Sequence, residues 1–293
     1  MKHLKWILIL CLNLMILYCS SENNSNRIIR AMTFNIRLNV DSDSLNAWPY
    51  RKEMAASMIR FHHADIIGIQ EALKKQVDDL AERLPDYSWF GIGRDDGDKQ
   101  GEFMAIFYLK NRFKVLDHST FWLSEHPKLP GKGWDAACNR IVTWGKFEDI
   151  RTDNSFYHFN THFDHLGDIA RKESAKLLLK QIITIAGNSD VIVTGDFNST
   201  PNSVPYKILT QKSEGETELN LFDAKMVSDN PHHGPNGTFT GFKLSNLIDH
   251  NQPIDYIFVT KKIKVLNHGT LSDTFDGFFP SDHMPVLAEI RIE

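Results

Sequence analysis

Val191-Ile192-Val193-Thr194-Gly195-Asp196-Phe197-Asn198-Ser199-Thr200-Pro201 is the stretch whose reading decides the fold. The apolar run 191–194 reads as a buried strand. Asp196 and Asn198 stand two residues apart and therefore face the same way at that strand's C-terminal end. Gly195 permits a tight turn, and Asn198 and Pro201 continue the turn chemistry. A carboxylate and a carboxamide projecting together suit a phosphate ester, one taking a cation or a proton and the other holding an oxygen. By itself the stretch also reads as a strand followed by an Asx-turn.

Comparable segments recur along the chain. Met32-Thr33-Phe34-Asn35-Ile36-Arg37 closes a first strand with an amide, and Asp65-Ile66-Ile67-Gly68-Ile69-Gln70-Glu71 closes a second with an acid. Tyr157-His158-Phe159-Asn160-Thr161-His162 closes another with a histidine. Ile254-Asp255-Tyr256-Ile257-Phe258-Val259 carries an acid within a strand, and Ser281-Asp282-His283-Met284-Pro285 precedes the last one. Together and in this order, the segments resemble the endonuclease/exonuclease/phosphatase superfamily of DNase I-like and exonuclease III-like enzymes, over residues 30–293.

Composition bounds the reading. The 293 residues, 42% hydrophobic and 24% charged, suit one large α/β domain without repeats or low-complexity linkers. Residues 1–18 differ in kind: Lys2 and Lys5 precede an apolar core at 6–18. That core is shorter than the about 20 residues a spanning helix needs. Cys19 and the polar run 20–26 follow, similar to a bacterial lipoprotein leader, although Tyr18 is bulkier than such leaders prefer before the cleavage point. The expected organisation is a signal peptide at 1–18, a flexible tether at 19–27 and a catalytic domain at 28–293. An exported protein in the periplasm or cell envelope, anchored to a bacterial membrane through lipidated Cys19, is the corresponding expectation. With Cys11 in the leader and Cys19 acylated, Cys138 is left alone and reads as a small buried hydrophobe. The 33 basic residues face 37 acidic ones, net −4, and loss of the leader leaves 31 against 37, net −6. No long basic run exists beyond Lys74-Lys75 and Lys261-Lys262, which disfavours a grip on duplex DNA.

Strand-like runs fall at 28–36, 65–70, 104–109, 115–121, 141–147, 156–161, 191–194, 255–259 and 285–290, and helical periodicity at 51–61, 75–83 and 170–185. Runs 104–109 and 115–121 read as antiparallel neighbours. Helices alternating with such strands point to mixed sheets. The resemblance implies an α/β (α+β) four-layer sandwich: two mixed β-sheets face to face, helices outside, and an active site at one edge where strand ends meet.

Hydrolysis of a phosphate ester needs a divalent cation, an activated water and relief of charge on the leaving oxygen. Hard oxygen ligands suit Mg²⁺, with Mn²⁺ as a substitute. The resemblance makes Glu71 the principal metal ligand, with Asn35 and Asp282 beside it. It gives Asp196 and Asn198 the nucleophilic water and a phosphate oxygen, and makes His283 the proton-transfer group, oriented by Asp255. His162 is expected to pair with Glu102, which lies six residues ahead of Tyr108. Arg140, in a glycine-flanked loop with Trp134, reads as a bidentate phosphate contact, and Trp134 as either a stacking face or a lid over the core. Asp164 lines the pocket or caps the next helix. His162-x-Asp164-His165 also matches a zinc constellation, with His232-His233 as the other dense histidine pair, which keeps a dizinc hydrolase open. The substrate class stays open between a small phosphoester, a lipid head group and a short nucleic acid. A catalytically inactive phosphate-binding module is the non-enzymatic alternative.

Overall fold

Period-two alternation along the strands sorts their buried apolar side chains into a layer between the sheets and one beneath the helices on each outer face. A computed structural model describes residues 27–211, 219–243, 245–246 and 251–292. The leader, Cys11, Cys19 and the tether up to residue 26 lie outside the described residues.

One sheet has the order β11-β12-β1-β2-β4-β3, built from β1 (Ile28–Asn35), β2 (Ile66–Gln70), β3 (Tyr87–Phe90), β4 (Ile106–Leu109), β11 (Ile263–Thr270) and β12 (Val286–Ile292). The other has the order β5-β6-β7-β8-β10-β9, from β5 (Phe113–Trp122), β6 (Ile141–Asp149), β7 (Asn154–His162), β8 (Asp190–Asp196), β9 (Phe222–Asp223) and β10 (Asp255–Val259). Both are mixed: β1 runs parallel to β2 and β7 parallel to β8, while β12 and β10 pair antiparallel to β1 and β8.

Helices α1 (Trp48–Phe61) and α2 (Lys74–Arg83) cover the first sheet, burying Trp48, Met58, Ile59, Val77 and Leu80 against Met32, Phe34, Ile67 and Ile69. Helices α3 (Asp168–Ala186) and α4 (Val204–Thr210) cover the second, where Leu178, Ile182 and Leu209 meet Phe159, Val191, Val193 and Phe258. Pro49 starts α1 where its missing N–H costs nothing, and Gly187 ends α3 at a φ of 57°. A short helix α5 (Ala224–Val227) follows β9. The architecture is the expected four-layer sandwich. No helix among the described residues is long and apolar enough to cross a membrane.

The layer between the sheets positions the site. Its apolar part holds Ile29, Ala31, Ile66, Phe147, Phe156, Ile192 and Ile257. Phe147 is fully buried, with its ring centroid 5.5 Å from that of Phe156, and truncating it to Ala should cost about 3–5 kcal/mol. Each inward row then turns polar toward the strand ends: Thr33 and Asn35 on β1, Gln70 on β2, His158, Asn160 and His162 on β7, Thr194 and Asp196 on β8, Asp255 on β10. All are buried. Gly68 lets the sheets close here, because a Cβ would lie 2.1 Å from Thr194 Oγ1 and 2.4 Å from Asn160 Oδ1. Asn160 then spans the layer, accepting from Gln70 Nε2 at 2.6 Å and donating to the Ile69 and Ala105 carbonyls.

Three readings from the sequence need correction. Strands β4 and β5 are not neighbours: β4 pairs with β2 and β3, β5 with β6. The short link between them changes sheets, pinned by buried Arg112, which contacts Asp65 on one side and Asp149 on the other at 2.9 Å each. Strands β3, β9 and β11 are additional. In β11 a register shift between Val265 and Asn267 breaks the alternation and hides the period-two signal. Cys138 is half-buried rather than core, with Sγ 3.8 Å from Asp164 Oδ2.

Candidate active site

The in-register ends of β7, β8 and β10 bring His162, Asp196 and Asp255 into one row. The first sheet supplies the facing groups. Asn35 Nδ2 donates to Glu71 Oε1 at 2.9 Å and to Asp196 Oδ2 at 3.0 Å, so one amide ties the two sheets' carboxylates together. Glu71 follows β2 at a φ of 62° and Asn198 follows β8 at 46°. Both hold the left-handed conformation that L-residues seldom adopt, a strain typical of functional positions. Glu71 Oε2 accepts from Leu38 N at 3.1 Å, and Asp196 Oδ1 accepts from Asn198 N at 2.9 Å in the Asx-turn read from the sequence.

Two histidines flank Asp196 Oδ2, His162 Nε2 at 3.4 Å and His283 Nε2 at 3.8 Å. His283 Nδ1 lies 2.9 Å from Asp255 Oδ2, the expected dyad geometry. Burial works against a charge on His283, but Asp255 and Asp196 outweigh it and hold its proton affinity well above the ordinary range. His162 moves the opposite way: burial lowers it, and the charges of Arg140 and Arg94 lower it further. Its Nε2 takes the Asn198 Nδ2 donor at 3.0 Å. Asp196 is pushed up to about 7 by burial and by the nearby Asp255 carboxylate, against the pull of His283. Asp282 is raised by burial and by Glu71, with His283 and Arg37 opposing.

The remaining expected residues fall less uniformly. Glu102 does not pair with His162: its Oε2 accepts from Arg94 Nη1 at 2.6 Å, and His162 Nδ1 has no hydrogen-bond partner among the described residues. The six-residue spacing carried Glu102 into the site without showing that Arg94, from the loop before it, would reach the carboxylate. Asp164 faces protein donors rather than an open pocket. Its Oδ1 accepts from Leu166 N and Gly167 N ahead of α3, its Oδ2 from Ala137 N and Arg140 Nε. It caps and orients, and those donors hold its acidity well above that of a free carboxyl. His162 does not join Asp164 and His165, whose ligand-type atoms group with Cys138 instead, and Arg140 donates to Asp164 and to His165 Nδ1. Trp134 sits at a φ of 52° with its backbone N–H on Glu125, beside Asp135, which receives the Ala170 N–H at 2.6 Å.

Several supporting residues gave no sequence signal. Buried Arg51 on α1 donates to the Ile36, Asn46 and Pro280 carbonyls, fastening the loops that carry Arg37 and Asp282. Ser281 Oγ donates to the Asn35 carbonyl at 2.7 Å, and Thr238 Oγ1 to Asp255 Oδ2 at 2.6 Å. Only Ser281, inside the Ser-Asp-His motif, was within reach of pattern reading.

The profile of the endonuclease/exonuclease/phosphatase family matches residues 32–283, from β1 through His283. The chain belongs to this family. An endonuclease/exonuclease/phosphatase of Bacteroides vulgatus is 41% identical, covering 91% of this chain and 99% of its own, with a TM-score of 0.86. A mannosyl-6-phosphatase of Bacteroides thetaiotaomicron is 36% identical over 89% of this chain and 99% of its own, TM-score 0.81. The 3'-5'-exoribonuclease subunit Ccr4 of the CCR4-Not complex of Candida albicans is 29% identical over 84% of this chain, which spans 38% of that longer protein. Two mimivirus relatives are spanned over 61% and 39% of their lengths.

Endonuclease/exonuclease/phosphatase family members typically use a divalent metal, and the residues here fit one. Glu71, Asp196 and His283 bring ligand-type atoms within 4.8 Å of one another, with Asp282 close enough to feel Glu71. The oxygen-rich, mutually repelling acids are the donor set of a hard cation.

Proposed function

We propose that this protein is a Mg²⁺- or Mn²⁺-dependent hydrolase of small phosphate esters. The observation that carries the reading is the Asn35 amide joining Glu71 to Asp196, with His283 held on Asp255 beside them. Glu71, with Asn35 and Asp282 adjacent, would hold the cation, which when bound offsets charge on the phosphoryl oxygens. Asp196, whose proton affinity sits near neutrality, takes the proton of the attacking water. His283, charged and oriented by Asp255, offers its Nε2 proton to the phosphoryl group. Asn198 donates Nδ2 to neutral His162 and holds the ring in place on the second-sheet side.

The likeness to a mannosyl-6-phosphatase supports a sugar phosphate or similar small ester. The likeness to Ccr4 supports a short nucleic acid instead, and the net negative charge weighs against it. A panel of sugar phosphates, aryl phosphates and short oligonucleotides, each with Mg²⁺, Mn²⁺ or EDTA, tests the reading. Metal-dependent hydrolysis of the small esters is expected. Undiminished activity in EDTA, or none on any ester, overturns it, the latter favouring a binding module.

We also propose export and lipid anchoring at Cys19, where two or more acyl chains give stable membrane attachment. Membrane fractionation and intact mass of wild type and Cys19→Ser provide the test. An unacylated wild type, or equal solubility of both, would leave an ordinary secreted enzyme.

A further inference from the structure

Three buried polar atoms around His162 have no hydrogen-bond partner among the described residues: Arg94 Nε, Arg140 Nη1 and His162 Nδ1. Orphaned buried donors are costly and seldom kept without a use. Arg140, 4% exposed at the mouth of β6, has its fork locked on two sides, by Asp164 Oδ2 at 3.3 Å and by His165 Nδ1 at 3.0 Å. Arg94 is locked by Glu102 at 2.6 Å. The two arginines are stitched together, since Asn139 Nδ2 donates to the Arg94 carbonyl at 3.3 Å. The charges of both act on His162 and on Glu102, and Glu102 in turn feels Glu71. Each guanidinium thus keeps one acid partner that fixes its plane and one buried N–H group without a hydrogen-bond partner among the described residues. Cys138, Asp164 and His165 also offer ligand-type atoms within 4.8 Å of one another, but Arg140 donates to two of them, so the place suits an anion and not a cation.

We infer that Arg94 and Arg140 together seat the terminal oxygen that a phosphate monoester has and a diester lacks, and so make the site selective for monoesters. The inference rests on the phosphoesterase reading. A monoester presents three non-bridging oxygens. The cation that Glu71 would hold takes one and His283 another, leaving the third for the paired arginines. In a diester that oxygen carries carbon. The substituent would cover two charged, buried N–H groups without satisfying them, and sites built around such donors discriminate strongly.

Steady-state kinetics with Mg²⁺ on p-nitrophenyl phosphate and bis(p-nitrophenyl) phosphate test this. The expected preference in kcat/KM is at least about a hundredfold for the monoester. Arg94→Gln should lower the monoester-to-diester ratio by about tenfold to a hundredfold, and Arg94→Lys, which keeps the charge and loses the fork, by less. Calorimetric titration of inorganic phosphate in EDTA reads the seat without turnover, with binding weakened about tenfold in Arg94→Gln and in Arg140→Gln. A diester preference overturns the inference, as does a ratio and phosphate affinity unchanged in Arg94→Gln. Should Arg94→Gln fail to fold, the wild-type preference and Arg94→Lys decide. Hydrolysis of neither ester would instead overturn the phosphoesterase reading, while the phosphate titration still reports on the arginines.

Discussion

His162 and His283 share a residue type, a depth and a neighbour. They are 4% and 6% exposed, and each directs Nε2 at Asp196 Oδ2. Their proton affinities nevertheless diverge, His162 well below the ordinary histidine value and His283 well above it. Burial depresses both. The difference lies at the far ring nitrogen and in the surrounding charge. His283 Nδ1 rests on Asp255 within a set of acids, whereas His162 Nδ1 has no hydrogen-bond partner among the described residues and the ring feels the charges of Arg140 and Arg94. One centre therefore holds two imidazoles whose proton affinities are shifted in opposite directions, and the partner rather than the depth decides which is which.

The acid shared by both rings should matter most. Asp196→Ala or Glu71→Ala is expected to reduce kcat/KM by about a thousandfold or more, and wild-type activity in either variant would dissolve the centre on which the comparison rests. Next come His283→Ala and Asp255→Ala, each expected to cost about 10²- to 10⁴-fold. Because the two act as one unit, the double variant should lose little more than the worse single one. Independent, multiplying losses in that cycle would show that Asp255 does not set the state of His283. His162→Gln should cost less, about tenfold to a hundredfold, because a neutral ring contributes hydrogen bonding and not charge. Equal losses at positions 162 and 283 would break the contrast.

The smallest effect concerns stability. His158, fully buried against Thr194 Oγ1 at 2.8 Å, is a second neutral histidine without a role in the chemistry, pushed down to about 3 by burial. With a folded-state value below the unfolded one, the unfolded chain binds the proton first as pH falls. Stability is therefore lost progressively from about pH 6.5 toward about 3. Urea unfolding at stepped pH should show a shallower acid decline in His158→Phe than in wild type. Identical slopes would mean that burial does not keep this ring neutral, and would weaken the same argument for His162.

Much of this centre was legible before any coordinates. Strand ends announced by apolar runs that close on Asn35, Glu71, His162 and Asp196 follow from local periodicity, and so do helices α1 to α3. The pairing of His283 with Asp255 came from family resemblance, and the geometry agrees with it. What local pattern lacked was any signal for contacts made across the sheets or between loops. Arg51 reaching Pro280, Thr238 reaching Asp255 and Arg94 reaching Glu102 are bonds between residues that no periodicity relates. The sheet change after β4 and the bulge in β11 escaped for the same reason, since Arg112 and the β12 register decide them from a distance.

The chain's own order of residues determined which strands end in which chemistry, because side-chain alternation is a property of the backbone and needs no tertiary context. Only the folded structure decided which histidine gains proton affinity and which loses it, which acids Arg94 and Arg140 pair with, and which acid merely caps a helix. Those states depend on burial and on partners far apart in sequence, and desolvation together with Coulomb attraction acts through space rather than along the chain.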